Sequence, residues 1–337
     1  MKAVGYRNAG PIDQPNALED ITLEQPRAAG RDLLVKVHAV SVNPVDTKVR
    51  TRMGAEGDQW RVLGYDAAGV VEAIGESVTG FKPGDAVYYA GSIARPGTNS
   101  EYHLVDERIV GGKPETLSFA EAAALPLTAI TAWEMLFDRL NVSHPPPQGG
   151  DVILVVGGAG GVGSITLQLL RALTELTIIA TASRPETQAW AKECGADHVV
   201  DHREPLAPQV AALGLGAPGF VFSTTQTGQH LADLADLIAP QGRFGLIDDP
   251  ASFDIALLKQ KAISIHWEFM FTRPVFETPD MGHQGRLLQE LAALVDGGKV
   301  ATTLSDVAGS INAENLIQAH RQLESGTTRG KVVLEGF

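Results

Sequence analysis

A glycine-rich segment near the middle of the chain is the feature most typical of a binding site. Gly158, Gly160 and Gly163 are spaced as G-x-G-x-x-G, directly after the apolar run Val152–Val156. Such glycines permit a tight turn, let backbone N–H groups approach a pyrophosphate, and place that anion at a helix N-terminus. A glycine turn alone is weak evidence, but here a predicted strand precedes it and a predicted helix follows it. The pattern therefore predicts a dinucleotide-binding turn, with an ordinary structural turn as the alternative, over Gly158, Ala159, Gly160, Gly161, Val162 and Gly163.

The residues after the next predicted strand indicate which dinucleotide is bound. An NAD site usually has an acidic residue about 20 positions beyond the glycines, where it bonds the ribose hydroxyls. Here Ser183 and Arg184 stand at that distance, and the first acid, Glu186, lies beyond the turn. A guanidinium and a hydroxyl suit the 2′-phosphate of NADP. The sequence therefore predicts NADPH as the cofactor, although Ser183 could equally cap the following helix.

Composition and charge exclude several other classes of protein. The 337 residues carry a formal charge of −13, and we expect no nucleic-acid or anionic membrane partner, because both require clustered Lys and Arg. We find no secretory signal and no run of about 18 apolar residues that would cross a membrane. The single cysteine, Cys194, cannot form an intramolecular disulfide. A cytoplasmic location is therefore expected.

The elements that must position these residues fall into two patterns. Residues 1–125 contain short predicted strands separated by Gly and Pro, as in a compact barrel-like unit. Strands and helices then alternate, which is typical of a doubly wound parallel sheet. We therefore predict an α/β protein with a cofactor domain at 126–267, and with 268–337 returning to the first domain.

Six segments of the chain carry motifs that belong together: Val42–Asp46, Leu63–Val71, Lys82–Asp85, Glu121–Thr128, Gly157–Gly163 and Gly330–Leu334. As a set they resemble the motifs of the medium-chain dehydrogenase/reductase superfamily, over essentially the whole chain. The resemblance is strongest to its quinone oxidoreductase-like branch, whose members are often labelled zinc-binding alcohol dehydrogenases. It implies a GroES-like catalytic domain, a Rossmann cofactor domain and a homodimer.

The resemblance also identifies where zinc ligands would stand. Zinc alcohol dehydrogenases supply a Cys where this chain has Asn43, and a Gly-His-Glu motif where it has Gly64, Tyr65 and Asp66. Asn and Tyr are not usual zinc ligands, and a catalytic zinc needs three protein ligands. We therefore predict that no metal is bound.

Without a Lewis acid, a conjugated acceptor is easier to reduce than a simple ketone, because its charge spreads over an enolate or hydroquinone. We therefore predict NADPH-dependent reduction of quinones or α,β-unsaturated carbonyl compounds. Asn43 is expected to contact nicotinamide or substrate, Tyr65 to donate a proton or hydrogen bond, and Asp46 and Lys48 to orient a water. Asp46 and Asp66 could instead only bond the backbone of their own loops.

The resemblance implies further cofactor contacts. Thr128 matches a residue on the nicotinamide side, His202 stands where relatives place a Tyr near the adenosine, and Lys331 matches a Lys near the phosphates. Ile247 lies at the carboxyl end of a predicted strand, where open parallel sheets bind ligands. Lys331 could equally be an ordinary charged residue at the start of a strand.

Two other functions remain open at this level. The first is a zinc-type alcohol dehydrogenase, which the missing ligands disfavour. The second is an NADPH-binding sensor or structural protein without turnover, because a reductase of this kind needs no diagnostic catalytic pair.

Overall fold

A computed structural model describes all residues from Met1 to Phe337, which form two compact units. Unit 1 comprises residues 1–130 and 271–337, and unit 2 comprises residues 131–270. The sequence placed these two boundaries after residues 125 and 267. Because the chain leaves unit 1 and later returns to it, unit 2 is an insertion within unit 1.

The strands of unit 1 are β1 (Lys2–Tyr6), β2 (Glu19–Thr22), β3 (Asp32–Ser41), β4 (Arg61–Val62), β5 (Ala67–Ile74), β6 (Ala86–Tyr89), β7 (Tyr102–Asp106), β8 (Val110–Gly112), β15 (Leu304–Val307) and β16 (Lys331–Glu335). They are mainly antiparallel, although β15 and β16 pair in parallel. A three-stranded sheet has the order β2-β1-β4, and a seven-stranded sheet has the order β15-β16-β3-β5-β6-β8, with β7 also paired to β3. The strand at the end of the chain, β16, pairs antiparallel with β3.

The strands of unit 2 form one six-stranded sheet in which every neighbouring pair is parallel. Its order, β11-β10-β9-β12-β13-β14, reverses direction beside the first strand, β9, as in a dinucleotide-binding sheet. The predicted doubly wound α/β fold is thus confirmed. The strands are β9 (Val152–Val156), β10 (Thr177–Thr181), β11 (His198–Val200), β12 (Phe220–Ser223), β13 (Arg243–Leu246) and β14 (Ser264–Trp267).

Helices cover both sheet systems. In unit 2 the apolar faces of the sheet and of its helices form the core. Its buried residues include Leu154, Leu234 and Phe244. A π-helical turn, Glu134–Arg139, follows α3 directly. No helix has the length and apolar character needed to cross a membrane. The helices are α1 (Pro44–Arg52), α2 (Phe119–Ala123), α3 (Pro126–Trp133), α4 (Gly161–Leu173), α5 (Pro185–Glu193), α6 (Leu206–Ala212), α7 (Thr227–Leu237), α8 (Thr272–Phe276), α9 (His283–Asp296) and α10 (Ala313–Glu324).

Candidate functional site

The glycine turn of unit 2 joins β9 to α4 and leaves no room for side chains at two of its positions. A Cβ added to Gly163 would lie 2.2 Å from the carbonyl oxygen of Gly157, and one added to Gly158 would lie 2.8 Å from the Cβ of Ala180. Gly157 has φ +80°, a conformation that side chains rarely adopt. The turn therefore keeps its backbone bare at the N-terminus of α4, where N–H groups and the helix dipole favour an anion.

The last residue of β10 holds this turn in place. The Thr181 hydroxyl accepts a hydrogen bond from the Gly157 N–H group at 3.0 Å, and the Thr181 carbonyl accepts one from Gly158 at 3.0 Å. The same hydroxyl lies 3.3 Å from Nδ1 of His202. Thr181 was not predicted as a site residue, although its place at the end of the strand beside the turn was a usable signal.

The segment after β10 brings a second arginine to the predicted NADP-recognising pair. Arg184 is the N-cap of α5, and its guanidinium lies 3.3 Å from the Glu186 carboxylate. Arg203 donates a hydrogen bond to the Ser183 carbonyl at 2.9 Å and also pairs with Asp201. Ser183, Arg184 and Arg203 therefore form a polar, partly cationic edge. Arg203 was not predicted, because it lies 20 positions beyond Ser183 and follows a different strand, β11.

Three other predicted residues occupy different settings. Ile247 directly follows β13, at the carboxyl end of the parallel sheet, and is half-buried. Thr128 is buried in α3, where its hydroxyl donates to the Leu125 carbonyl at 3.0 Å. Lys48 lies on α1 and is partly exposed. Their contacts with cofactor or substrate stay predictions.

Unit 1 brings together four polar side chains, which we call the Asp66 group: Asn43, Asp46, Asp66 and Lys331. All four are at most 3% exposed. The Asp46 carboxylate accepts one hydrogen bond from the Asn43 N–H group, at 2.8 Å, and another from Gly64, at 2.9 Å. Because Asp46 is in the first turn of α1, the helix dipole also favours its ionised form.

Asp66 connects segments that are distant in sequence. Its Oδ1 accepts from the Leu127 N–H group at 2.7 Å, and its Oδ2 accepts from the Asn43 amide at 2.8 Å. The Lys331 ammonium lies 3.3 Å from the same Oδ2. Asp66 therefore does more than bond its own loop, which had been one interpretation of this residue.

The Lys331 ammonium has three donors and three nearby oxygens. It donates to Oδ1 of Asn43 at 2.6 Å and to the Val42 carbonyl at 2.7 Å, and the Asp66 carboxylate provides the third oxygen. A lysine has no further N–H group to offer. In this arrangement all three N–H groups of Lys331 face oxygens of unit 1. Its contact with cofactor phosphates stays a prediction.

Burial dominates the electrostatics of the Asp66 group. It raises the pKa of Asp46 to about 7, against the hydrogen bonds from Asn43 and Gly64 and the charge of Lys331. It raises the pKa of Asp66 to about 6, against the Lys331 charge and the Asn43 amide. Burial also lowers the pKa of Lys331. A single ammonium thus faces two buried carboxyl groups.

Tyr65 stands between Gly64 and Asp66 and packs edge-on against Phe271, with ring centroids 5.3 Å apart. Burial, and secondarily the Asp46 charge, raises the pKa of this phenol well above its ordinary value. Tyr65 therefore stays protonated over the physiological pH range and can donate a hydrogen bond or proton.

Comparison with known proteins shows which family has this combination of units. The chain is 65% identical to a crystallised protein from Rhizobium etli CFN 42, described provisionally as a zinc-dependent alcohol dehydrogenase. The match covers 100% of this chain and 98% of that one, with a TM-score of 0.99. It is also 40% identical to a zinc-type alcohol dehydrogenase-like protein of Staphylococcus aureus, over 99% of both chains. The chain belongs to the medium-chain dehydrogenase/reductase superfamily.

Other matches agree with this membership of an oxidoreductase family. Residues 29–133 match the alcohol dehydrogenase GroES-like domain, and residues 194–334 match the zinc-binding dehydrogenase family. A 2-methylene-furan-3-one reductase of Solanum lycopersicum is 30% identical over 99% of this chain and 79% of its own length. The resemblance inferred from the motifs, including its GroES-like and Rossmann domains, is confirmed.

The zinc that these family names imply does not fit the residues of this chain. No group of three or more His, Cys, Asp or Glu side chains is arranged to hold a metal ion. At the positions where zinc ligands were expected, the Asn43 amide and the Asp66 carboxylate are bonded to each other and to Lys331. Tyr65 would have to ionise in order to bind a metal, and its raised pKa opposes this.

Proposed function

We propose that this chain is an NADPH-dependent reductase of α,β-unsaturated carbonyl compounds or quinones that works without a metal. The observation that carries the proposal is the donor set of unit 1: the buried Tyr65 phenol stands next to Asp66 in sequence and packs against Phe271, and no group of three His, Cys, Asp or Glu side chains is arranged to hold a metal. Such a set can stabilise negative charge that is delocalised over a conjugated acceptor, but it cannot polarise a simple carbonyl as zinc does.

The cofactor assignment is supported by unit 2. The bare backbone of the glycine turn fits a pyrophosphate, since Cβ atoms at Gly158 and Gly163 would collide with neighbouring atoms. The edge formed by Ser183, Arg184 and Arg203 offers a hydroxyl and two guanidinium groups, with no acidic residue in place of Ser183. Arg184 would exchange its exposed Glu186 partner for the 2′-phosphate of NADPH.

The bound nicotinamide supplies a hydride, and the residues of the chain must manage the charge that develops on the acceptor. An enone and a quinone share a carbonyl conjugated to a carbon–carbon double bond, so negative charge develops on oxygen in both. We assign Tyr65 to donate a hydrogen bond or proton at that oxygen. Asn43 and Asp46 hold the segment next to it, and Lys48, on the partly exposed side of α1, orients a water.

The relative from Solanum lycopersicum supports an enone acceptor, because 2-methylene-furan-3-one contains a carbon–carbon double bond conjugated to a carbonyl. That likeness spans nearly the whole of this chain. We therefore place exocyclic and cyclic enones first among the acceptors, followed by quinones with the same conjugation.

Steady-state oxidation of NADPH with a panel of enones, quinones and simple ketones tests the proposal. We expect turnover with the first two classes, none with simple ketones, a much lower KM for NADPH than for NADH, and no effect of a chelator. Tyr65→Phe should lower kcat, by about 10²-fold if the phenol is the general acid, with little change in KM for NADPH.

Two results would contradict this function and identify its alternatives. Chelator-sensitive oxidation of alcohols would identify a zinc-type dehydrogenase. Tight NADPH binding without turnover of any acceptor in the panel would identify a sensor or structural protein. Unchanged kcat in Tyr65→Phe would remove only Tyr65 from the mechanism.

A further inference from the structure

Four separate stretches of unit 1 meet at the Asp66 group. Asn43 precedes α1, Asp66 precedes β5, Leu127 is in the first turn of α3, and Lys331 begins β16. Each contributes a donor or acceptor to the same connected set of hydrogen bonds. The group therefore fixes the ends of several elements relative to one another within unit 1.

The Asn43 amide can take only one orientation in this set. Its Nδ2 faces the Asp66 carboxylate at 2.8 Å, and its Oδ1 faces the Lys331 ammonium at 2.6 Å. Rotating the amide by half a turn would place N–H groups against the ammonium and oxygen against the carboxylate. The opposite charges of Asp66 and Lys331 thus specify how Asn43 is presented.

The same carboxylate anchors the start of α3. Asp66 Oδ1 accepts from the Leu127 N–H group, which lies in the first helical turn, where N–H groups take partners from outside the helix. Thr128, which is assigned to the nicotinamide side, is the next residue. One carboxylate therefore bonds both Asn43 and the residue that precedes Thr128.

We infer that Asp66 and Lys331 are positioning residues for the proposed reaction, an ion pair that orients Asn43 and the first turn of α3 and that supplies, in place of a metal, the cation of this site. All three ammonium donors of Lys331 are used within the group, so the residue acts through Asn43 and not on the substrate. This inference rests on the proposed function.

A double-mutant cycle separates positioning from simple structural support. Asp66→Asn and Lys331→Met each leave a buried charge without its partner, which strongly destabilises a protein. The double variant removes both charges of the pair and should recover most of the loss in thermal midpoint. The matched control is Asp85→Asn with Lys82→Met, which removes a Lys–Asp ion pair of the same unit whose lysine is exposed.

Positioning predicts that the double variant stays impaired after its stability recovers. We expect kcat/KM for NADPH at least tenfold below that of wild type, while the control keeps wild-type kinetics. Wild-type kcat and KM in the recovered double variant would overturn the inference. If the double variant does not fold, Lys331→Arg tests the inference instead, because the planar guanidinium keeps the charge but not the geometry of the ammonium group. It should also be impaired, and unchanged kinetics would overturn the inference.

The proposed function can fail separately. If the wild type reduces no acceptor, that function fails, and the positioning inference is then tested by NADPH binding, measured by fluorescence titration. We expect at least fivefold weaker binding of NADPH by the double variant than by wild type. Equal affinities would overturn the positioning role as well.

Discussion

The two units each bury a pair of carboxyl groups beside one cation, and they accommodate the charge in different ways. In the Asp66 group of unit 1, all four carboxylate oxygens accept hydrogen bonds from backbone or amide N–H groups. In unit 2, Glu134 and Glu268 are buried next to each other beside Arg139, which donates to Glu268 Oε2 at 2.8 Å. Oε1 of Glu268 receives no hydrogen bond.

The two pairs differ in the hydrogen-bond donors and charges that surround each carboxyl group. Burial, and then the neighbouring Glu134 carboxyl, raises the pKa of Glu268 to about 8, above both aspartates of unit 1. Two carboxyl groups in contact can bond to each other only if one of them keeps a proton. The unit 1 group is thus an ion pair within a network of donors, whereas the raised pKa of Glu268 favours its protonated form beside Glu134 and Arg139. Two acids beside one cation therefore give a hydrogen-bonded ion pair in one unit and a protonation-dependent contact in the other.

Removing the carboxylate of the ion pair should have the largest effect. Asp66→Ala leaves the Lys331 ammonium buried without its counter-ion, and we expect a loss of about 3–5 kcal/mol in the free energy of unfolding. Chemical denaturation measures this value. The control Asp85→Ala, whose partner Lys82 is exposed, should cost less than about 1 kcal/mol. Equal losses in the two variants would show that Asp66 and Lys331 are not a coupled buried pair.

The raised pKa of Glu268 in unit 2 predicts a pH dependence of stability. A carboxyl group whose folded pKa is raised is most stabilising below its unfolded pKa, and that stabilisation is lost as pH rises through the folded value. For Glu268 this window runs from about 4.5 to about 8. Stability should therefore fall with rising pH in that window, in part because of Glu268.

Glu134→Gln isolates the contribution of this pair. The new amide can donate to Glu268, which then stays ionised beside Arg139, so the variant should lose the pH dependence that Glu268 causes. We expect its free energy of unfolding at pH 8.5 to exceed that of wild type by about 1–2 kcal/mol. Thermal midpoints measured from pH 5 to 9 give the difference profile, in which the contributions of Asp46 and Asp66 cancel. A flat difference profile would contradict an effect of Glu134 on the pKa of Glu268.

Exposed charges in unit 2 should affect binding and not stability. Arg184 and its partner Glu186 are both exposed, so losing the pair costs little. If Arg184 binds the 2′-phosphate, Arg184→Ala should raise KM for NADPH about tenfold, as expected for a lost charge-assisted hydrogen bond, and leave KM for NADH unchanged. Glu186→Ala is the matched control. An equal rise for both cofactors would mean that Arg184 does not read the phosphate.

Much of unit 2 could be predicted from sequence, because its signals are local. The apolar run Val152–Val156 and the glycines after it specify strand, turn and helix within one continuous stretch, and the structure has β9 and α4 there. Helix α6 was missed, since its seven residues begin after a proline and carry little helical periodicity.

Unit 1 was harder to predict because its important contacts are not local. Helix α1 was not predicted, although Asn43, Pro44 and Asp46 form a recognisable helix start, because no apolar stripe follows. The motif residues Asn43 and Tyr65 were chosen from resemblance. Nothing in the sequence indicated that Lys331 would reach Asn43, 288 positions away. Asp66 was assigned no site role because its partners come from three other segments.

The smallest expected effect is that of metal removal, and it should be the same for the carboxyl pairs of both units. Each pair of acids already has a resident cation, Lys331 in one unit and Arg139 in the other, and neither has a third acidic, His or Cys ligand beside it. Protein purified without chelators should therefore contain far less than one zinc per chain by elemental analysis. Added EDTA should leave both the thermal midpoint and NADPH turnover unchanged, since a structural or catalytic zinc would alter one or the other on removal. Stoichiometric zinc whose removal lowers either value would mean that Lys331 does not replace a metal at the Asp66 group.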